Sequence, residues 1–475
     1  MMNRQLTLRL RAGCLFCVVM LGLSACAKPQ IDTGLRKDVL TQQEMAQRFV
    51  QQENWWRGYG DAALEQYVAL ALERNVDLAQ SAVRIHSALV RAQLAGADLF
   101  PTASGDVSAS ARRDLESGDT SRSYQSRLGL QYELDLWQRL RNAASAQTWE
   151  HQATIADQES LRLSLIHSVV NSYFSLRYLV EGQQVLQKSI GRYRDVLDLV
   201  GTKAEFGKVA PVEVQQAEQS LLSAQNRLSN LAAEEALVRQ TLRDLLNLRP
   251  GDALPAAETS LLTQKNIPVD LQVPVSALAV RPDLQAAEAR FAGAFKNVQA
   301  SQSGWYPALT LGAILGTEAS SSSNILEFPF LSGTVGLSLP FLDWQRVRAN
   351  VRLSEDDYEL ARLDFIRAIT AALNEVRASY DVSALSSRSL DLLLERLKRE
   401  QAITGHYQAR YELGAGELKD YLEALNSEDD TLLSVLQAKY ALLRDESTVY
   451  RAMGGRFLVK KQVPASAEKL PAVKL

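Results

Sequence analysis

The residue types that most often carry chemistry are scarce in this sequence and poorly spaced for catalysis. The chain of 475 residues has three cysteines, all near the N-terminus, which excludes a disulfide framework or a cysteine-based zinc site beyond them. The four histidines are too far apart for a zinc-binding pair on one helix; they are His86, His151, His167 and His406. Nucleotide-binding glycine loops and the G-x-S-x-G motif are also absent from the sequence. We therefore predict no enzyme activity, no metal site and no bound cofactor.

The first 25 residues are typical of an export signal, and the cysteine after them is a candidate for covalent modification. Basic residues at Arg4, Arg9 and Arg11 precede an apolar run of about 12 residues, which is too short for a stable transmembrane helix. The run ends at residues 23–26 (L-S-A-C), which resemble the lipobox of bacterial lipoproteins. This resemblance implies cleavage before Cys26 and a covalent lipid on its sulfur; the alternative is an ordinary signal peptide. Aspartate after the cysteine would resemble the signal that retains lipoproteins in the inner membrane. Position 27 is alanine, which favours the outer membrane over the inner membrane.

The composition is that of a folded protein with no bias towards nucleic acid. Hydrophobic residues make up 46% of the chain and charged residues 23%, so it is neither disordered nor collagen-like. The formal net charge is −3, whereas a dedicated nucleic-acid binder would be basic. We predict no nucleic-acid partner.

The spacing of the prolines predicts very long helices. No proline lies between Pro101 and Pro211 or between Pro340 and Pro464, and proline disrupts helix interiors. Apolar residues at coiled-coil spacing occur directly after Pro211 and within the second window. The clearest runs are Val214, Ala217, Leu221, Ala224 and Leu228, and Leu418, Leu422, Leu425, Leu432 and Leu436. A helix over about 141–202 would be about 90 Å long and too polar for lipid, so it must stand in water.

Segments in which apolar and polar residues alternate lie between the helical windows. They predict strands near 124–136, 309–315 and 335–341, with a weaker strand near 102–111. Strands of about ten residues with one apolar face are typical of transmembrane β-barrels. The alternative is a water-soluble sheet packed on a layer of helices.

The sequence contains an internal tandem repeat of about 207 residues. The Trp137-Gln138-Arg139 run returns as Trp344-Gln345-Arg346, Tyr173 as Tyr380, and Gly207 as Gly414. Each half reads as helix, two strands, long helix, turn and helix. We predict these segments: signal peptide 1–25, lipid-anchored segment 26–60, first repeat 61–255, connecting equatorial segment 256–280, second repeat 281–455 and flexible tail 456–475.

Two strands from each half give four strands per chain, too few to close a barrel. An open sheet edge cannot lie in lipid, because its backbone N–H and C=O groups would have no partners. Three chains would supply twelve strands, within the range of outer-membrane barrels, and would bring twelve helical segments around one axis. We therefore predict an α+β membrane protein: a homotrimeric, twelve-stranded β-barrel continued by a long α-helical barrel.

Several motifs resemble the outer-membrane efflux protein family, the TolC-like exit ducts, and in particular its lipoprotein branch. Residues 55–64 (W-W-R-G-Y-G-D-A-A-L) resemble the family's W-x-x-F-x-D-x-x-L motif, and 75–78 (N-V-D-L) its N-x-D-L motif. The most specific match is 281–288 (R-P-D-L-Q-A-A-E), which resembles R-P-D-L/I-x-x-A-E. The hairpin tips at 206–218 and 411–425 also resemble the family.

The resemblance implies a passive outer-membrane channel of a tripartite efflux system that projects into the periplasm. Its expected partners are two further copies of the chain, outer-membrane lipid, a periplasmic membrane-fusion adaptor and an inner-membrane RND pump, or an MFS or ABC transporter instead. Its expected cargo is small toxic compounds. The alternatives are a duct for ABC-driven protein or peptide secretion and an envelope scaffold lipoprotein that transports nothing.

The same resemblance implies a periplasmic gate at Leu422, Asn426 and Asp429. Leu422 matches the family's gate leucine, although its coiled-coil spacing also fits an ordinary seam residue. Asn426 stands where the family usually has aspartate, so negative charge would have to come from Asp429 or its neighbours Glu428 and Asp430. Asp429 interrupts an apolar seam, at a position that faces either the lumen or a partner helix.

The turns at Gly207 and Gly414 are the candidate docking sites for the adaptor. Glycine ends a helix well, so turn geometry is the simpler role for both residues. Grooves between the hairpins would receive the tips of the adaptor's helices.

Overall fold

A computed structural model describes residues 49–256, 260–269, 274, 278–319, 328 and 330–459. Met1–Leu40 and Thr41–Leu475 form separate units, and every element described belongs to the second. The predicted signal peptide and the lipidation site at Cys26 therefore lie outside the described residues, as does the tail after residue 459.

From α2 onward, the order of elements in the first half is repeated in the second half, whereas α1 has no counterpart among the described elements. The first half contains α1 (Ala62–Arg74), α2 (Val76–Ala97), β2 (Thr102–Arg113), β3 (Thr120–Leu134), α3 (Arg139–Glu205) and α4 (Pro211–Leu245). The second half contains α5 (Pro282–Gln302), β4 (Ala308–Ala319), β5 (Phe330–Ser338), α6 (Trp344–Glu412) and α7 (Leu418–Met453). The chain is thus an α+β protein dominated by helix.

The first of the two longest helices extends slightly beyond the predicted range of about 141–202, and the second has a similar length. α3 has 67 residues and α6 has 69, so each is about 100 Å long. α3 packs against α2, α4, α5 and α7, and α6 packs against α5 and α7. Among the helices of the described residues, none combines the length and apolar character needed to cross a bilayer.

The four long strands form one antiparallel sheet in the order β2-β3-β4-β5. Within the described residues, the outer edges of β2 and β5 pair with no other strand. β5 ends at Ser338, earlier than alternation over 335–341 predicts. The reason is Pro340, which has no N–H to donate and begins a 3-10 turn, Pro340–Asp343.

The register of this sheet separates apolar from polar side chains. Leu128 pairs with Leu315 and Leu311 with Val335, so these residues share one side of the sheet, called the apolar face below. Arg127, Gln125 and Glu318 share the other side, the polar face, where the amide of Gln125 bridges Arg127 (3.3 Å) and Glu318 (3.4 Å). Both faces are largely exposed in the single chain.

A short two-stranded sheet joins the beginning and end of the described chain. β1 (Phe49–Gln52) pairs antiparallel with β6 (Arg456–Val459). The prediction of a flexible tail from residue 456 is therefore wrong for its first four residues, because their backbone groups are hydrogen-bonded to β1.

The largest core lies at mid-height of α3, where α3 and α7 meet the N-terminal elements. A 3-10 turn, Trp55–Tyr59, and α1 bury aromatic and aliphatic side chains against both helices. The largest fully buried members are Trp55, Tyr59, Tyr67, Tyr173 and Phe174. We call the 3-10 turn, α1 and residues 260–269 the belt.

Candidate functional site

The two helical hairpins end in turns with the same backbone geometry. Gly207 and Gly414 have φ of 64° and 73°, in the left-handed region that favours glycine. In each turn the residue after the glycine donates its N–H to a carbonyl five residues earlier: Lys208 to Lys203 and Ala415 to Arg410, at 2.9 and 2.8 Å. The left-handed conformation of each glycine thus lets the following residue donate to a carbonyl at the helix end.

An apolar cluster fills the space between the hairpins near these turns. It contains Leu422, which is only 4% exposed in the single chain. Its neighbours come from α3, α4, α6 and α7; they include Ile190, Tyr193, Val196, Val200, Ala217, Ala224, Tyr411, Leu418, Tyr421 and Leu425. The structure therefore places the predicted gate leucine in the seam between helices of one chain.

Asn426 and Asp429 also point towards α3. The Tyr193 hydroxyl lies 2.8 Å from Asn426 Oδ1 and 3.1 Å from Asp429 Oδ2. Arg192 forms an ion pair with Asp429 and lies 3.6 Å from Glu428. The sequence allowed Asp429 to face either the lumen or a partner helix. In the single chain it faces a partner helix, α3.

A second ion pair ties α7 to the other helix of the first hairpin. Asp430 pairs with Arg227 of α4, next to the Asp429–Arg192 pair. Asp429 is 2% exposed, and this burial raises the pKa of its carboxyl, while Arg192 opposes the rise. Consecutive carboxylates on α7 thus bind one arginine on each helix of the first hairpin; we call these two pairs the tip latch.

The arginines of the tip latch were not predicted from the sequence. An aspartate in an apolar seam requires a cationic or hydrogen-bonding partner, because an isolated buried charge is costly. That argument predicts a basic residue facing Asp429. It does not single out Arg192 or Arg227, because α3 and α4 carry several arginines.

The belt explains the aspartate of the N-terminal motif. Asp61 caps α1 by accepting the N–H of Leu64 at 3.1 Å. Its other carboxylate oxygen accepts from the Tyr173 hydroxyl at 2.7 Å and from Arg177 at 2.8 Å. Arg177 also donates to Gln264 at 2.7 Å, so α1, α3 and the segment between the halves meet in one buried network.

Two buried charges on α7 hold the segment between the halves. Lys439 donates to the carbonyl of Gln264 at 2.7 Å, and Glu446 accepts the N–H of Ile267 at 3.1 Å. Glu446 is 3% exposed, and this burial raises its pKa to about 7, with partial compensation from the Ile267 N–H and Lys439. Burial likewise lowers the pKa of Lys439.

The N-x-D-L and R-P-D-L motifs form equivalent joints in the two halves. Asn75 caps α2 and donates its side-chain N–H to the carbonyl of Leu245 at the end of α4, at 3.0 Å. Arg281, just before α5, donates to the carbonyl of Ala452 at the end of α7. In each half, therefore, the motif joins the start of a short helix to the end of the hairpin's second helix.

Exposed tryptophans lie where the strands of the sheet meet the helices. Trp137 stacks on Tyr306 with ring centroids 4.6 Å apart, and its indole N–H donates to the carbonyl of Pro307 at 2.9 Å. Trp137 and Trp344 remain substantially exposed in the single chain. This arrangement fits side chains with an apolar body and a polar tip at a membrane surface.

A family model described as "Outer membrane efflux protein" matches residues 67–248 and 273–455 of this chain. The two matches correspond to the two halves of the fold and together cover more than half of the chain.

Known relatives match over most of their length. The chain is 38% identical over 420 residues to "Toxin and drug export protein A" of Aggregatibacter actinomycetemcomitans, covering 88% of this chain and 92% of the relative. It is 30% identical over 463 residues to "Pyoverdine export outer membrane protein OpmQ" of Pseudomonas putida, covering 92% and 97%. The solved CmeC outer membrane channel of Campylobacter jejuni has the same fold, with a TM-score of 0.79 at 21% identity over 92% and 94% of the two chains.

Proposed function

Because this chain belongs to the outer membrane efflux protein family, we propose that three copies form the exit duct of a tripartite efflux system. Family and fold are those of outer-membrane efflux channels. The finer proposal is a homotrimer with a twelve-stranded barrel and a helical tunnel, which opens to a periplasmic adaptor and an inner-membrane pump. The pump performs the work, and the duct conducts passively.

The observation that carries this proposal is the four-stranded sheet, which has two chemically different faces and, in the described part of the chain, two open edges. Backbone groups at an open edge have no partner in lipid, so the edge of β2 requires the edge of β5 from another copy. Leu331, Val335 and Leu337 of β5 are exposed in one chain. In a barrel, these side chains would form part of the outer surface that contacts lipid. α6 offers a matching exposed apolar row: Leu353, Leu360, Leu385 and Leu392.

We propose that the tip latch and its apolar cluster form the periplasmic gate. In this proposal Leu422, Asn426 and Asp429 hold α7 against α3 and keep the tunnel closed, instead of lining the lumen as a ring. Their burial in one chain supports that role. Opening would move α7 away from α3 and α4 and break both ion pairs.

The turns at Gly207 and Gly414 are proposed to dock the adaptor. Exposed apolar side chains stand beside them: Phe206 is 73% exposed and Leu413 is 84% exposed. Apolar contacts of this kind suit helix-in-groove docking. We also retain the proposal that Cys26 carries a covalent lipid, which anchors the chain in the outer membrane.

The proposed cargo is small toxic compounds such as drugs, dyes and detergents. A second candidate is the export of peptides or proteins, favoured by the relative named for both toxin and drug export. The two candidates differ in the pump that the duct would serve.

The test is deletion of the gene, followed by susceptibility measurements and by reconstitution of the purified full-length protein in planar bilayers. Drug efflux predicts greater susceptibility to several unrelated compounds, restored by the wild-type gene. Unchanged susceptibility with loss of a secreted protein would favour the second candidate. A monomer that conducts no ions would contradict both.

A further inference from the structure

Two arginines lie at the rim of the sheet, on the apolar face. Arg113 is the last residue of β2 and Arg122 lies near the start of β3. In the register, Arg113 is opposite Thr120 and Arg122 is opposite Ala111, so the two arginines are diagonal neighbours on one face. Diagonal neighbours have Cβ atoms about 7 Å apart, which lets two guanidinium groups reach one anion.

Their face is fixed by the alternation of side chains along each strand. On β2, Arg113 follows Val107, Ala109 and Ala111 on the apolar face, whereas Arg112 belongs to the polar face. On β3, Arg122 precedes Tyr124, whose alternation continues through Leu128 and Leu130. We call the apolar stretch of this face, which spans Tyr124 to Leu134 on β3, the apolar band. Both arginines are therefore the first charged residues beyond the apolar band, at the end of the sheet where the β2–β3 hairpin turns.

The dimensions of the band place these arginines at a membrane surface. From Tyr124 to Leu134 the apolar face runs for about 33 Å along β3, or about 25 Å in height at a strand tilt of about 40°. Trp137 lies just beyond the other end, where the helices begin. Since the helices lie on the periplasmic side, Arg113 and Arg122 stand at the outer surface.

The charges of both arginines are available to a ligand. Both side chains are exposed, and within the described residues neither makes an ion pair. The nearest acid in sequence, Asp114, turns its carboxylate to its own loop and accepts the N–H groups of Glu116 and Ser117, each at 2.9 Å. Arginine on an apolar stem extends its guanidinium into the headgroup layer and binds phosphate through two hydrogen bonds.

We propose that Arg113 and Arg122 form a binding site for a lipid-borne phosphate, carried by the phosphorylated glycolipid of the outer leaflet. The site occurs once per chain, because the segment 319–330 of the second hairpin contains no lysine or arginine. It rests on the membrane orientation of the proposed function, and it goes beyond transport: it fixes the rotation and height of each subunit against the outer leaflet.

The test uses purified full-length protein in detergent and native mass spectrometry or thermophoresis with diphosphoryl lipid A, phosphatidylethanolamine and inorganic phosphate as separate probes. We expect the Arg113→Gln/Arg122→Gln double variant to lose about tenfold or more in lipid A affinity, the scale of one or two charged hydrogen bonds. Arg112→Gln is the control for a nearby loss of positive charge, because it removes one arginine from the adjacent residue on the polar face. It should stay within about twofold of the wild type.

Three results would overturn the site: no lipid A binding by the wild type, unchanged affinity in the double variant, or an equal loss in Arg112→Gln. Inorganic phosphate binding as tightly as lipid A would also overturn it, because the ligand would then be a free ion. Arg113→Lys/Arg122→Lys, which keeps the charge, should recover part of the affinity. Ion conductance is measured on the wild type and on the same variants. A wild type that conducts no ions contradicts the proposed channel. A wild type that conducts leaves the lipid A affinities alone to decide the proposed lipid site.

Discussion

Several charged side chains that are buried, or that pair with a buried partner, connect elements that lie far apart in the sequence. Arg177 joins α3 to Asp61 and Gln264, Arg281 reaches the end of α7, and Arg192 holds Asp429. Each contact also satisfies a group that would be costly to bury alone. At the residue scale, the consequences of removing one partner therefore depend on what remains buried.

Arg192→Ala should loosen the tip. Asp429 would stay buried with the Tyr193 hydroxyl as its main partner, which costs about 1–2 kcal/mol, a range reduced because Arg192 is partly exposed. We expect larger conductance in planar bilayers and greater sensitivity to a large antibiotic that the outer membrane normally excludes. The control is Arg194→Ala, an exposed arginine two residues away. Equal conductance in the two variants would show that the ion pair does not hold the gate.

Glu446→Gln should change how stability depends on pH. The pKa of Glu446 is raised to about 7 from an ordinary value of 4.5. A raised pKa means that its stabilising contribution is complete below about pH 4.5 and is lost as pH rises through about 7, a difference on the order of 3 kcal/mol. Glutamine keeps an acceptor for the Ile267 N–H but cannot ionise. The stability of the variant relative to the wild type should therefore increase as pH rises from 5 to 8.

Thermal unfolding at several pH values measures this effect. His167 also titrates, because burial lowers its pKa to about 4, and its contribution is lost as pH falls from about 6.5 through about 4. That contribution is common to both proteins and cancels in their difference. A constant difference in melting temperature across the pH range would rule out ionisation of Glu446 as the cause.

At the scale of elements, short-range sequence patterns predicted the helices and strands that depend on the residues within them. Alternation predicted β3 and β4 to within a few residues, and the absence of proline predicted α3 and α6. The β1–β6 pair was missed, since neither four-residue strand has a readable pattern and their residues lie about 400 positions apart. The joints at Asn75 and Arg281 could be located as motifs, but their acceptors, the carbonyls of Leu245 and Ala452, have no sequence signal.

Gly191, within α3, and Gly207, in the turn after α3, should respond in opposite directions to replacement by alanine. Gly207 has φ of 64° with open space around its α-carbon, so Gly207→Ala costs about 1 kcal/mol through backbone strain alone. Gly191 lies within the helix, also with open space, so Gly191→Ala stabilises by up to about 1 kcal/mol through helix propensity. Thermal unfolding followed by circular dichroism measures both. A stabilised Gly207→Ala protein would mean that the turn does not require a left-handed residue.

At the scale of the whole molecule, the sheet and the helical hairpins both have surfaces that further copies of the chain would cover. Among the residues that the structure describes, the edges of β2 and β5 are unpaired in one chain, and α6 leaves an apolar row exposed. A ring of chains satisfies both with a single symmetry axis, because neighbouring copies would pair their sheet edges and their helices together. Assembly and membrane insertion are thus expected to succeed or fail together.

Adjacent residues of β5 provide a direct test of this expectation. Val335 lies on the apolar face and is 74% exposed in one chain, whereas Thr334 lies on the polar face, over Gly312. Val335→Arg would direct a charge from the apolar face into lipid, which costs at most about 2–4 kcal/mol per chain, the value at the bilayer midplane, and the cost is repeated in every subunit. In the proposed barrel, Thr334→Arg adds the same charge on the side that faces the lumen. We expect Val335→Arg to reduce the amount of trimer in outer-membrane fractions several-fold, with Thr334→Arg close to wild type. Equal amounts of trimer, measured by native electrophoresis against matched expression, would mean that the apolar face of the sheet does not meet lipid.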